Sequence, residues 1–297
     1  MSPRFQYLIS FDKNYFFLGI NLIQNCVDLE IDKSKIYVVD YGLSKNQIDF
    51  LNELGIRVLA RPEHLQDAHP YKLKSHLFDF LSFNQIERDF LVQLDADMIM
   101  LNNPNSALTM IITQMIEQSL TIAICQDVGP SKNILEFAST YRCPLFKDSL
   151  SPDELLRPYL NSGFVIYSPN FDLREFQRIA DEMQGEVVWE QNALNTICAK
   201  NPNSLLMLDP SIWNMHGILI EKFNGDTSPF LLHITSPTPN VIGTGFVNLS
   251  IGDIALEPVF YRELRINPYV YKLQTAMIQN LLIKNADLFI CHFSKNS

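Results

Sequence analysis

Two carboxylates two residues apart, Asp95 and Asp97, stand inside an otherwise apolar run from Phe90 to Leu101, FLVQLDADMIML. An unpaired carboxylate in a core is costly or takes up a proton, so the pair belongs where the chain leaves a sheet. Phe90 to Leu94 reads as a buried strand, and Met98 to Leu101 carries the chain onward. The i, i+2 spacing lets both carboxylates lean to one side of the strand, where they can share one hard divalent cation. Ligands of open α/β sheets bind outside the carboxyl ends of the strands, where this pattern puts the pair. A loop that happens to carry two acids has the same pattern, so other parts of the chain must separate the two readings.

Composition narrows the choice. The 297 residues are 47% hydrophobic and 19% charged, which suits a sizeable core and not global disorder. A net charge of −10 argues against a general nucleic-acid or anionic-membrane surface. A phosphate-bearing ligand would need a local cation, which favours a metal between the acids. Cys26, Cys125, Cys143, Cys198 and Cys291 are scattered, with no C-x-x-C pair. They point to reduced thiols, a cytoplasmic setting and no zinc cluster. No apolar run reaches the roughly 18–20 residues of a membrane span. Gln6, Asp12 and Lys13 do not fit a signal peptide.

The elements that must position the acids alternate. Strands are predicted at Phe5 to Phe11, Lys35 to Asp40 and Ile56 to Ala60. Between them, helices are predicted at Phe16 to Val27 and from the cap Ser44 to Leu54, with Gly55 as the stop. That alternation predicts an α/β fold with a mainly parallel sheet flanked by helices. Further on, Lys72 to Phe83 reads as one helix, Leu120 to Cys125 and Leu160 to Ser168 as strands, and Trp189 to Ala199 as a helix. Gln126 to Leu160 is long and irregular, as functional segments often are. Phe230 to Ile234 reads as a strand carrying His233, and Asp253 onward reads as helical, broken by Pro258 and Pro268. One main domain over residues 1–250 with a helical extension over 251–297 is the simplest division, and the apolar chain end could pack on a partner subunit of a homo-oligomer.

Six separated motifs then fit one pattern: DKNY at Asp12 to Tyr15, LDAD at Leu94 to Asp97, LNSGFVI at Leu160 to Ile166, EQNALN at Glu190 to Asn195, DPSIWN at Asp209 to Asn214, and HITSPTP at His233 to Pro239. Over roughly residues 5 to 240 the sequence resembles the family 8 glycosyltransferases, which have the GT-A fold, a Rossmann-like mixed sheet. The resemblance implies a retaining transferase that moves a hexose from a UDP-sugar to an acceptor hydroxyl. The acceptor would be a glycan, lipid or protein. Asp95, Asp97 and His233 would hold Mn2+ or Mg2+. Asp12, Asn14 and Tyr15 would meet the uracil and ribose, and Lys74, Asp95, Ala96 and Gly163 would line the rest of the donor site. Asn161, Glu190 and Gln191 would stand near the reacting carbon. Each also has an ordinary structural reading: Asp12 as a turn cap, Lys74 as a solvated helix lysine, Glu190 as an acid in a first helical turn, and His233 as a locally bonded strand-end histidine.

The departures are specific. The family's last motif is H-x-x-G-x-K-P-W, and here Ser236, Thr238 and Asn240 replace its glycine, lysine and tryptophan. A cation lost from a diphosphate forfeits about 1.5–3 kcal/mol per charged hydrogen bond. The competing reading is therefore a degenerate member that binds a nucleotide-sugar, a glycan or a partner without turnover. A D-x-D-x-T phosphatase is disfavoured by Ile99 where a Thr is needed. A nucleotidyltransferase is disfavoured by the lack of glycine from Phe11 to Phe17.

Overall fold

The computed structural model describes residues 3–87, 89–236, 238, 241–265 and 267–294. Its strands are β1 (Phe5–Phe11), β2 (Ile36–Asp40), β3 (Arg57–Leu59), β4 (Phe90–Asp95), β5 (Met98–Met100), β6 (Ile122–Gln126), β7 (Leu160–Tyr167), β8 (Leu205–Leu208), β9 (Leu231–His233), β10 (Ile242–Val247), β11 (Ser250–Ile251), β12 (Ile254–Ala255) and β13 (Val259–Leu264). Seven of them form one sheet in the order β3-β2-β1-β4-β7-β6-β8. The first four in that order pair in parallel, and β7 runs antiparallel to both β4 and β6. Both faces are covered. Tyr7, Ile9, Val92 and Leu94 join one apolar cluster, while Leu8, Leu91 and Val165 join another. This two-sided burial explains why these strands read as continuous apolar runs.

Local signals do much of the building. Ser44 accepts from the Gln47 N–H and Gln47 reaches back to Ser44 N, a capping box that starts the helix Lys45–Glu53. Gly55, at φ +81°, turns the chain after it. The stretch predicted as one helix over 72–83 is two, Pro70–Ser75 and Leu77–Phe83, broken at His76. His76 leaves the helical pattern because its buried ring spans Asp79 at 2.9 Å and Asp181 at 3.1 Å.

The expectation of a helix from Asp253 needs correction. That stretch first forms β12 and β13, and β13 pairs antiparallel with β10 from Ile242↔Leu264 to Val247↔Val259. Helices follow only at Pro268–Lys284 and Ala286–Phe293. The apolar chain end is used internally: Phe293 packs on Phe16 and Phe50, and Phe289 on Phe17 and Phe50. Among the described residues, no helix is long and apolar enough to cross a membrane. All five cysteines are free, and only Cys291 is exposed.

Candidate active site

The chain builds β1, β2 and β3 outward on one side, then returns to place β4 on the other side of β1. The carboxyl ends of β1 and β4 therefore flank a topological switch point, where open α/β sheets bind ligands. A cavity of about 490 Å³ opens there. Asp12 follows β1, and Asp95 is the last residue of β4. Asp12 Oδ1 accepts the Asn14 and Tyr15 N–H groups, both at 2.9 Å, so its turn-capping role is real.

The run after the acids is a short strand, and this solves how a distant histidine reaches them. β5 pairs antiparallel with β9 in the register Met98↔His233. The Ile234 N–H donates to the Asp97 carbonyl at 2.9 Å. His233 Nε2 consequently lies 3.3 Å from Asp97 Oδ1 and 4.0 Å from Asp95 Oδ2. One ligand atom from each of the three residues fits within 4.8 Å of the others.

The tautomer of His233 follows from a relay of amides. A carboxylate only accepts, so Asp127 Oδ2 takes the Nδ2–H of Asn161 at 3.0 Å. Asn161 Oδ1 then accepts from Asn214 Nδ2 at 2.8 Å and from the Gly163 N–H at 2.9 Å. Asn214 Oδ1 is left to face His233 Nδ1 at 3.0 Å, so Nδ1 carries the proton. Nε2 then faces the carboxylates of Asp97 and Asp95, at 3.3 and 4.0 Å, and a proton or a cation can sit between them. A ligand whose far nitrogen is fixed by a hydrogen bond is the usual support of a metal-binding imidazole. Burial works against charge on Asp97, but His233 and Arg262 overcome it and hold the carboxyl well below its usual range.

A second group lies deeper. Lys74 Nζ donates to Asp95 Oδ1 at 2.7 Å and to Ser162 Oγ at 3.2 Å, with Glu190 Oε1 at 4.0 Å. The Ser162 N–H and hydroxyl both donate to Gln191 Oε1, at 3.0 and 3.1 Å. Glu190 and Gln191 open the helix Trp189–Lys200, entered through Val188 at φ +44°, a strained position for a β-branched residue. Ser162 is aimed by an irregularity: β7 skips from Val165 opposite Ile124 to Asn161 opposite Cys125, which leaves the residues between them unpaired with β6.

Glu190 Oε2 is buried with no hydrogen-bond partner among the described residues. Burial pushes this carboxyl above its ordinary 4.5; Lys74 opposes the rise and Asp95 adds to it. A carboxyl raised in the folded state contributes stability below its unfolded pKa and loses it as pH rises through the folded value. Glu190→Gln should therefore melt a few degrees higher than wild type at neutral pH, with the gap closing below about pH 4.5. Thermal melts across that range check this, and a variant less stable at neutral pH would reject it.

Of the sequence-predicted residues, Asp12, Tyr15, Lys74, Asp95, Ala96, Asp97, Asn161, Glu190, Gln191 and His233 all line this one cavity. Two do not. Asn14 lines a smaller cavity beside Phe260, and Gly163 lies under the His233 ring. Thr238 is exposed, and Asn240 lies outside the described residues. Sequence reasoning missed Arg262, which lines the cavity and forms a salt bridge from Nη1 to Asp97 Oδ2. It also gave no role to Asp127 and His216, which line the cavity too. Asn214 was in plain view at the end of DPSIWN, but only β9 lying beside Met215 shows that it orients His233.

Solved structures share the fold. The apo structure of the bifunctional glycosyltransferase WbbM superposes with a TM-score of 0.54 at 16% identity, over 78% of this chain and 46% of that one. The galactosyltransferase LgtC, in complex with donor and acceptor sugar analogs, superposes with a TM-score of 0.51 at 13% identity, over 79% of this chain and 87% of that one. This is the GT-A fold. No protein-family model and no curated protein sequence matches the chain. The GT-A fold thus rests on structure alone, and the chain spans less than half the length of WbbM.

Proposed function

We propose that this protein is a metal-dependent glycosyltransferase that moves a hexose from a UDP-sugar to an acceptor hydroxyl with retention of configuration. One observation carries the reading: the Nε2 of an imidazole, oriented by a buried amide relay, faces two carboxylates at the switch point of a GT-A sheet. Two carboxylate oxygens and one imidazole nitrogen suit Mn2+ better than Mg2+, which prefers oxygen and keeps its waters. Bound there by Asp95, Asp97 and His233, the ion would bridge the protein to a diphosphate and neutralise charge on the leaving group.

The remaining residues have matching places. Asp12 and Tyr15 border the cavity at the end of β1, where the nucleoside would lie, and Asn14 would reach it only from its neighbouring cavity. Lys74 neutralises Asp95 and Glu190 from within. Asn161, Glu190 and Gln191 face the position of the transferred sugar. The Gln191 side-chain oxygen is already held by Ser162, which fixes the amide's orientation. Asp127, Gly129, Ser131 and Tyr141 come from the segment between β6 and β7, which is not irregular as expected but carries three short helices, Ile134–Thr140, Pro144–Asp148 and Pro152–Leu155, and they would form the acceptor side.

The test is a screen of UDP-sugars for release of UDP, with and without Mn2+. Binding is checked in parallel by thermal shift, because a ligand at 100 times its Kd stabilises by about 2.7 kcal/mol. Metal-dependent release is the expected result. The second reading, a nucleotide-sugar binder without turnover, is favoured by Thr238 in place of the family's lysine. It would be the outcome if UDP with Mn2+ raised the melting temperature while no donor was hydrolysed. Neither binding nor release would reject both.

A further inference from the structure

We propose that Arg262 is the diphosphate-binding cation of this cavity, held on Asp97 until a nucleoside diphosphate and its metal arrive. The inference rests on reading the cavity as a nucleotide-sugar site, and it answers the gap left by Thr238. Among the described residues, five acids line the cavity, Asp12, Asp95, Asp97, Asp127 and Glu190, against two permanent cations, Lys74 and Arg262. A diphosphate needs more positive charge than such a surface offers, even with one divalent ion.

Lys74 is poorly placed to supply it. Its ammonium is buried and already shared among Asp95, Ser162 and Glu190. Moving it would strand two carboxylates.

Arg262 differs in each respect. It sits on β13, which pairs only with β10 in a two-stranded ribbon outside the main sheet. Its side chain is 19% exposed and, among the described residues, makes one ion pair, through Nη1 to Asp97 Oδ2. Its Nε is buried with no acceptor among the described residues, so the fork that matches a phosphate is half unused. Phe260, two residues earlier on the same face of β13, packs on Tyr15 with ring centroids 5.0 Å apart. That contact anchors the strand beside the nucleoside end of the cavity.

Arg262 and a metal would share one carboxylate: the guanidinium pairs with Asp97 Oδ2, while Oδ1 faces His233 Nε2. A divalent ion on Oδ1 would weaken the hold of Asp97 on the guanidinium, and a diphosphate on that ion would offer it new acceptors close by. The arginine would thus screen Asp97 in the empty protein and bind the donor in the loaded one.

The two roles predict opposite effects of a single substitution. In Arg262→Gln, Mn2+ alone should bind about as tightly as in wild type or up to tenfold tighter, because no guanidinium then shares Asp97. UDP in the presence of Mn2+ should bind about 10- to 100-fold more weakly, the loss of one charged hydrogen-bonded group. Uridine, which has no phosphate, should be affected less than threefold. Calorimetric titration of Mn2+, UDP and uridine reads all three.

If wild type binds UDP with Mn2+ and the variant binds it equally well, Arg262 has no such role. If wild type itself binds no UDP, the nucleotide-sugar reading fails and the inference falls with it. A second measurement needs no variant that might misfold. With Arg-labelled wild type, the Arg262 Nε–H resonance should shift on adding UDP with Mg2+ and not on adding uridine with Mg2+. An unmoved resonance in UDP-saturated protein would overturn the proposal.

Discussion

Asp97→Asn should weaken metal binding at least about tenfold and lower UDP release in the presence of Mn2+ by about 10²- to 10³-fold, the usual scale for losing one electrostatic stabiliser of a leaving group. The substitution keeps the shape and removes the charge that His233 and Arg262 both face. It therefore also destabilises the empty protein. Breaking a buried ion pair by removing one partner costs about 3–5 kcal/mol, because the remaining charges are left unmatched. The pH dependence gives an internal check. Asp97 is held below its ordinary 3.8 in the folded state, so its contribution is present above that value and lost as pH falls through the folded pKa. The stability gap between wild type and Asp97→Asn should be widest at neutral pH and shrink in acid. A variant that titrates Mn2+ normally would remove Asp97 from the metal site, whatever its activity.

Gly163→Ala should lose at least about tenfold in Mn2+ affinity although residue 163 touches no ligand atom of the metal site. A Cβ at this position would stand 2.5 Å from His233 Cε1 and 2.6 Å from its Nδ1, with Asn161 Oδ1 at 3.0 Å. Neither neighbour can give way cheaply. His233 is buried and held at Nδ1 by Asn214, and Asn161 is tied to both Asn214 and Asp127. The ring must swing, breaking the relay and turning Nε2 from the acids. Overpacking of this kind costs about 1–3 kcal/mol in stability. Gly245→Ala is the control, because nothing lies within 4 Å of the added methyl there. Unchanged Mn2+ binding in Gly163→Ala would mean that His233 is not a ligand or that its orientation does not matter.

Much of this site was legible in the sequence, for identifiable reasons. Asp95 and Asp97 stand out because charge in an apolar run has few comfortable places, and a strand end is one. Ser44 and Gly55 were readable because caps and positive-φ turns have strong residue preferences. What escaped was set by pairing between distant short strands. Met98–Met100 is three residues long, and nothing local marks it as the partner of Leu231–His233. Arg262 has no motif around it. Its place depends on the β10–β13 register, which puts it opposite Thr244, in a stretch whose spacing suggested a helix. The break at His76 escaped because it is imposed by two aspartates, one of them 105 residues away. The resemblance put Gly163 along the donor site, whereas the space above it holds the imidazole.

The ion pair between Asp97 and Arg262 closes a loop of 165 residues. Loop closure of that length is entropically costly and slow, and contacts of this kind form late in folding. On a ribosome, a nascent chain that has emerged only through β7 would have its acids in place but neither His233 nor Arg262. Any ion-binding capacity would then appear abruptly, once the final quarter of the polypeptide has threaded back across the finished sheet. A chain ending between β9 and β13 would hold His233 and Lys74 beside the acids but would leave Asp97 without the guanidinium of Arg262.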